Sequence, residues 1–268
     1  MTSEYRQTLL TPADPEPVEV VNPQGGSRFV LTCEHAGRAV PARLGRMGVA
    51  PADMDRHIAW DIGAADTARR LAELLDAPLV LQRYSRLVVD CNRPSDAPDL
   101  MPEVSDGTRI PANAGLTADD RDARLREIFD PYHTAICNLL DERGARPDGP
   151  ILFSVHSFTP ALAVDPRPRP MELGLLFGND DRLAEAFQSA LAALDNPYRA
   201  ACNEPYRIGQ GSDYTIPVHG ENRGLPNMLI EIRNDRIDTP DKARAMGDFL
   251  AEVLSRVEAG FGPSVTPA

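Results

Sequence analysis

Short apolar runs and longer amphipathic stretches alternate along this chain of 268 residues. The runs are 28–33 (RFVLTC), 78–82 (PLVLQ), 86–91 (RLVVDC), 150–155 (PILFSV), 172–177 (ELGLLF) and 228–233 (MLIEIR). Each is apolar at successive positions and rich in Val, Ile and Leu, which predicts strands covered on both faces. Between them, apolar residues recur at three- and four-residue steps, the period of a helix with one buried face. Ile62, Ala65, Ala68, Leu71 and Leu75 form one stripe, and Leu183, Phe187, Leu191 and Leu194 another. A third starts at Thr117, a cap with Asp120 in the first turn, and runs from Leu125 to Leu140, with Pro131 expected to kink or split it. The last begins with Thr239 as cap and Pro240 in the first helical position, and buries Phe249, Leu250, Val253 and Val257. Strands alternating with helices predict an α/β protein. No shift in composition marks a boundary, so the chain reads as one domain over 1–268, with a peripheral N-terminal segment (1–26) and a loose tail (259–268). Two long stretches, 92–116 and 197–227, carry neither period but are dense in Gly, Pro, Asn, Arg and Asp, as functional loops are.

Composition narrows the partners. Forty acidic against 28 basic residues give a net charge of −12, which argues against a nucleic acid. Nothing approaches the roughly 18 consecutive apolar residues of a membrane span, and the first residues lack the basic head and apolar core of a secretory signal. The expectation is a cytoplasmic protein without membrane partners. Cys33, Cys91, Cys137 and Cys202 form no CxxC pair or zinc knuckle, so reduced thiols are expected. The chain has no GxGxxG, GxxxxGK[ST], HExxH or GxSxG, which withdraws support from dinucleotide, P-loop and common serine hydrolase chemistry.

The residues suited to catalysis cluster just after the predicted strands, where open α/β sheets place their sites. Glu34 and His35 follow the first strand, with Gly37 permitting a tight turn, and His156 ends the strand ILFSVHSF. Two histidines at equivalent strand ends favour metal ligation or base catalysis over a structural role for each. In HIAWDIG, His57 and Asp61 stand four apart, although Asp61 also suits a helix cap. Glu231 is an acid inside an apolar strand, which requires a metal, a charge or hydrogen bonds beside it; an ion pair with Arg233 is the competing explanation. Two histidines, an aspartate and a separate glutamate are what a hydrolytic zinc site requires. YSRLVVDCNRP adds Arg86, Asp90, Asn92 and Arg93, and SDGTRIP adds Arg109. Arginines there suit carbonyl or carboxylate binding, against the plainer reading of an Arg86–Asp90 pair on a solvated edge. The loop before the last strand carries His219, Glu221 and Arg223 and reads as a lid or specificity loop.

The segments TCEHAG, HIAWDIGA, YSRLVVDCNRP, SDGTRIPAN, SVHSFTP and HGENRGLPNMLIEIRND, in this order, resemble the N-formylglutamate amidohydrolase (deformylase) family from about Phe29 to about Leu254. The resemblance implies a zinc-carboxypeptidase-like (phosphorylase/hydrolase-like) fold, three α/β/α layers around a mixed, mostly parallel sheet. It implies hydrolysis of an N-formyl amino acid to formate and the free amino acid. It suggests His35, Asp61 and His156 as ligands of zinc or another divalent metal, Glu231 as acid/base, and Arg93 for oxyanion or carboxylate binding. Carboxypeptidases take their acidic ligand from HxxE; here Arg38 stands three after His35, which favours Asp61, with Glu34 or His57 in reserve.

The expected substrate is a small anionic N-acyl amino acid, foremost N-formyl-L-glutamate, met by Arg86, Asn92, Arg109, His219, Arg223 and Arg233. Lys242 is the single lysine, so 27 of the basic residues are arginines, the side chain whose fork fits a carboxylate. The alternatives are a thiol amidase using Cys33 or Cys91 and a binding protein without catalysis.

Overall fold

The computed structural model describes residues 8–209 and 211–260. In chain order its strands are β1 (Val18–Val21), β2 (Phe29–Cys33), β3 (Leu79–Gln82), β4 (Val104–Ser105), β5 (Thr108–Arg109), β6 (Ile151–Phe158), β7 (Leu173–Leu176), β8 (Ala200–Cys202) and β9 (Asn227–Arg233). Its helices are α1 (Pro51–Met54), α2 (Ala64–Leu75), α3 (Ala118–Arg124), α4 (Asp130–Gly144), α5 (Arg182–Ala192) and α6 (Pro240–Gly260). Seven strands form one sheet in the order β1-β3-β2-β6-β9-β7-β8. The inner four are parallel, while β1 and β7 run antiparallel to β3 and β9.

The successive apolar positions become strands covered on both sides. Phe29 and Leu31 of β2 face a core with α2, α5 and α6, while Val30 faces a second core with α4 and the segment 87–101. This is a three-layer α/β/α arrangement with a mixed, mostly parallel sheet. Among the described residues no helix is long and apolar enough to cross a membrane.

Helix ends follow their sequence signals. Thr117 and Asp120 form a reciprocal capping box at α3. Pro131 does split the helix it interrupts: Leu125–Phe129 is a π-helical turn between α3 and α4, a device that absorbs a broken hydrogen-bond ladder. Thr239 Oγ1 accepts from Lys242 N at the start of α6.

Three expectations change. Residues 86–91 form no strand, although all but the half-buried Arg86 are buried; they turn at Ser85–Val88, and side chains rather than a neighbouring strand satisfy two of their carbonyls. Asn113 Nδ2 donates to Leu87 O and Arg124 Nη1 to Val88 O, both at 2.9 Å. Of the stretch 1–26, residues 1–7 lie outside the described residues, and 8–26 are not merely peripheral, since they supply the edge strand β1 and Leu9 is buried in the second core. Of the expected tail, residues 259–260 end α6 and 261–268 lie outside the described residues.

The chain leaves β2 to form β3 on one side and later returns to form β6 on the other. The sheet order therefore reverses between β2 and β6, and a crevice opens beyond the carboxyl ends of strands at such a point.

Candidate active site

His35 follows β2 and His156 lies in β6, on either side of that crevice. Their rings stand nearly perpendicular, with centroids 4.8 Å apart. Asp61 sits between them, its Oδ2 3.4 Å from His35 Nδ1 and 3.0 Å from His156 Nδ1. All three side chains are buried, and one potential ligand atom from each falls within 4.8 Å of the others. Asp61 does not cap α2, whose N-cap is Gly63. Its carboxylate accepts from Ser157 N at 3.1 Å, and its backbone N–H donates to His35 O at 2.9 Å, so both strand ends fix it.

The far nitrogen of each imidazole is held by another buried carboxylate. His35 Nε2 lies 2.7 Å from Asp90 Oδ1, and His156 Nε2 lies 2.6 Å from Glu34 Oε2. Thr32 pairs in register with Ser154, which sets Glu34, two residues on, level with His156; Ser154 Oγ also donates to Glu34. Glu34 thus stands behind His156, on the ring nitrogen that faces away from Asp61. A carboxylate on the outer nitrogen fixes ring and tautomer so that Nδ1 points inward, the arrangement seen around protein-bound metals. Burial opposes the charges on Glu34 and Asp61, yet the imidazoles hold both carboxyls well below their usual range. Burial opposes the His156 charge as well, and Glu34 and Asp61 raise it well above its ordinary value. His35 Nδ1 makes no hydrogen bond and is shielded from solvent. Two inward nitrogens and an oxygen, one of them orphaned, fit a divalent cation such as zinc.

Arg86 and Asp90 do pair, through Nη2 to Oδ2 at 2.6 Å, but not on a solvated edge. Asp90 is buried and connects Arg86 to His35, while Arg86 Nη1 lies 3.6 Å from Asp61 Oδ1. Gly37 acts by close approach rather than by a left-handed turn: a Cβ there would fall 2.0 Å from Arg83 O. The turn carrying Glu34 and His35 therefore lies tight against the chain leaving β3.

Glu231 stands in β9 in register with His156. Burial pushes its carboxyl up to about 7, and Oε2 has no hydrogen-bond partner. It makes no pair with Arg233, which instead binds Asp235 at 2.8 Å and Arg169 O at 3.1 Å. His35, His156 and Glu231 border a cavity of about 290 Å³, together with Arg86, Asn92 and Arg93. An adjoining cleft of about 320 Å³ shares Arg86, Arg93, His57 and Tyr206 with it.

Four other candidates lie outside this lining. Arg109 is exposed on the β4–β5 hairpin, and Arg223 Nη1 binds Asp141. Arg233 is tied as above, and His219 is buried with its Nε2 3.0 Å from His133 Nδ1. Tyr206, Arg207, Ser212 and Asp213 reach the cavity without having been expected. They come from the irregular stretch 197–227, whose composition marked a functional loop but gave no period to say which side chains point inward.

The sequence model described as N-formylglutamate amidohydrolase matches residues 27–237. The chain belongs to the N-formylglutamate amidohydrolase family. A gene product of Agrobacterium tumefaciens, of known structure, is 35% identical over 94% of this chain and 98% of its own, with a TM-score of 0.89. The N-formylglutamate amidohydrolase of Ralstonia eutropha JMP134 is 18% identical over 91% of this chain and 98% of its own, with a TM-score of 0.64, and shares the fold. No curated protein sequence matches. Membership in the N-formylglutamate amidohydrolase family brings amide hydrolysis as the class of reaction. Neither thiol is placed for it: Cys33 and Cys91 are fully buried, burial raises both well above the ordinary thiol range, and neither lines the cavity.

Proposed function

We propose that this chain, folded as one domain, hydrolyses a small N-formyl amino acid, foremost N-formyl-L-glutamate, to formate and the free amino acid. His35, Asp61 and His156 would hold a divalent metal, zinc by their donor set. The observation that carries the reading is the Glu231 carboxyl, its Oε2 without a hydrogen-bond partner, in register with His156, whose inner nitrogen converges with that of His35 on Asp61.

When bound there, a divalent metal polarises a carbonyl and makes water a better acid near neutral pH. Glu231 then serves as the proton carrier. Its Oε2 accepts a proton from the attacking water as the water oxygen bonds to the formyl carbon. As the carbon–nitrogen bond breaks, the same proton passes to the departing amine, so water is consumed and formate and amine are the only products. A carboxyl raised toward neutrality by burial suits both halves of this transfer. Asp90 and Glu34 hold the imidazoles, and Arg86, fixed by Asp90 and Asp61, presents positive charge to the side of the cavity where the carbonyl oxygen gains charge. Arg93 and Asn92 border the same space and position the substrate.

Replacing Glu231 with Gln tests the assignment. Formate release from N-formyl-L-glutamate is expected to fall about 10²–10⁴-fold, with metal content unchanged, the range that general acid–base catalysis supplies. A Glu231→Gln protein with full turnover would refute the role.

A further inference from the structure

Three arginines border the cavity, and two are committed to the protein. Arg86 donates through Nε and Nη2 to Asp90. Arg93 donates through Nε to Asp99 and through Nη1 to Ser212 O. Arg207 is the third. Among the described residues its guanidinium has neither a hydrogen bond nor an ion pair, and its side chain is exposed at the cavity rim.

Its position is built rather than incidental. The preceding Tyr206 is clamped by Arg169, whose guanidinium lies 5.2 Å from the ring centroid and whose Nη1 donates to Tyr206 Oη at 2.9 Å. Two residues earlier in the chain than Tyr206, Glu204 O presses on Gly174, where a Cβ would fall 2.1 Å from that oxygen and 3.2 Å from Glu231 Cβ. The segment carrying Arg207 therefore crosses β7 directly beside the strand position of Glu231.

We propose that Arg207 grips a carboxylate of the substrate and makes the enzyme selective for anionic over uncharged N-formyl amino acids. This rests on the hydrolase reading above. The formyl end of the substrate is neutral and needs no guanidinium, whereas a carboxylate matches the two-pronged fork of arginine. To offer a carboxylate both prongs of the fork, Arg86 and Arg93 would have to give up hydrogen bonds to Asp90, Asp99 or Ser212 O, and Arg207 gives up none.

The test compares metal-loaded wild type with Arg207→Met on N-formyl-L-glutamate and on its uncharged diamide. The expected result is a rise of at least tenfold in KM for N-formyl-L-glutamate with kcat within twofold, and a change in kcat/KM for the diamide below twofold. An equal loss on both substrates, or no loss on either, overturns the proposal. If wild type releases formate from neither, the hydrolase reading fails on its own. Calorimetric binding of N-formyl-L-glutamate then judges Arg207: affinity lost in Arg207→Met supports the grip, and equal binding or none in both proteins overturns it.

Discussion

His35 and His156 owe their inward orientation to Asp90 and Glu34, carboxylates 55 and 122 residues away in sequence from their respective partners. Asp90→Asn would keep the shape but remove the charge shared between His35 and Arg86. Its metal affinity is expected to drop about 10–100-fold, the usual cost of losing such a partner, measured by competition with a chelator. Unchanged affinity would show that Asp90 is only an anchor for Arg86. A second buried histidine pair lies outside the site: burial lowers His133 to about 3 and His219 to about 4, against the ordinary 6.5. The unfolded chain binds protons there between about pH 4 and 6.5 that the folded chain refuses, so these groups withdraw stability as pH falls through that window. Glu231, with its raised carboxyl, acts in the opposite sense up to about pH 7 and is present in either protein. His219→Gln is therefore expected to flatten the stability profile between pH 4.5 and 6 by about 1.4 kcal/mol per unit, one proton's worth, as measured by urea unfolding. Parallel profiles would contradict the assignment. His35, His156 and Glu231 were legible in sequence because a polar residue in or after an apolar strand announces itself, whereas Asp61 stood out only by its spacing from His57 and by the family resemblance. The outer carboxylates were not, since their roles depend on strand register and on a turn remote in sequence.

The elements divide the same way. Period and capping residues located α2, α5, α6 and the Pro131 break, because those signals are local. The run RLVVDC looked like a strand and is a buried turn, since apolarity reports burial and not pairing; the deciding partners, Asn113 and Arg124, lie on later segments. Burial lowers Arg124 to about 10 against the pull of Asp120, and its guanidinium serves as a scaffold by donating to the carbonyls of Val88 and Ala112. The short strand β8 escaped detection for want of any period, and the loop that follows, marked as functional by its composition, gave no sign of which side chains form one wall of the cavity. Its closeness to β7 depends on Gly174. Gly174→Ala would force the Glu204 backbone or Glu231 to move and is expected to cost about 1–3 kcal/mol in stability, typical of overpacking, together with a loss of formate release. A thermal or urea midpoint identical to wild type would show that the segment yields freely.

At the scale of the molecule, a net charge of −12 coexists with a cavity bordered by three arginines. The two do not conflict: at physiological salt charges are screened over about 8 Å, so a small carboxylate responds to the pocket and an extended polyanion to the whole surface. The fold places that pocket where the sheet order reverses between β2 and β6, and the groups assigned to the reaction reach it from β2, β3, β6, β9 or the loops beyond them. The proposed hydrolysis runs on a single metal held by His35, Asp61 and His156. Its test is to titrate metal-free protein with zinc while following formate release from N-formyl-L-glutamate. Activity is expected to rise linearly and to level off at one zinc per chain in wild type, and to stay absent in His156→Ala across the same range. Full activity in the metal-free protein, or an unaltered titration in His156→Ala, would contradict it.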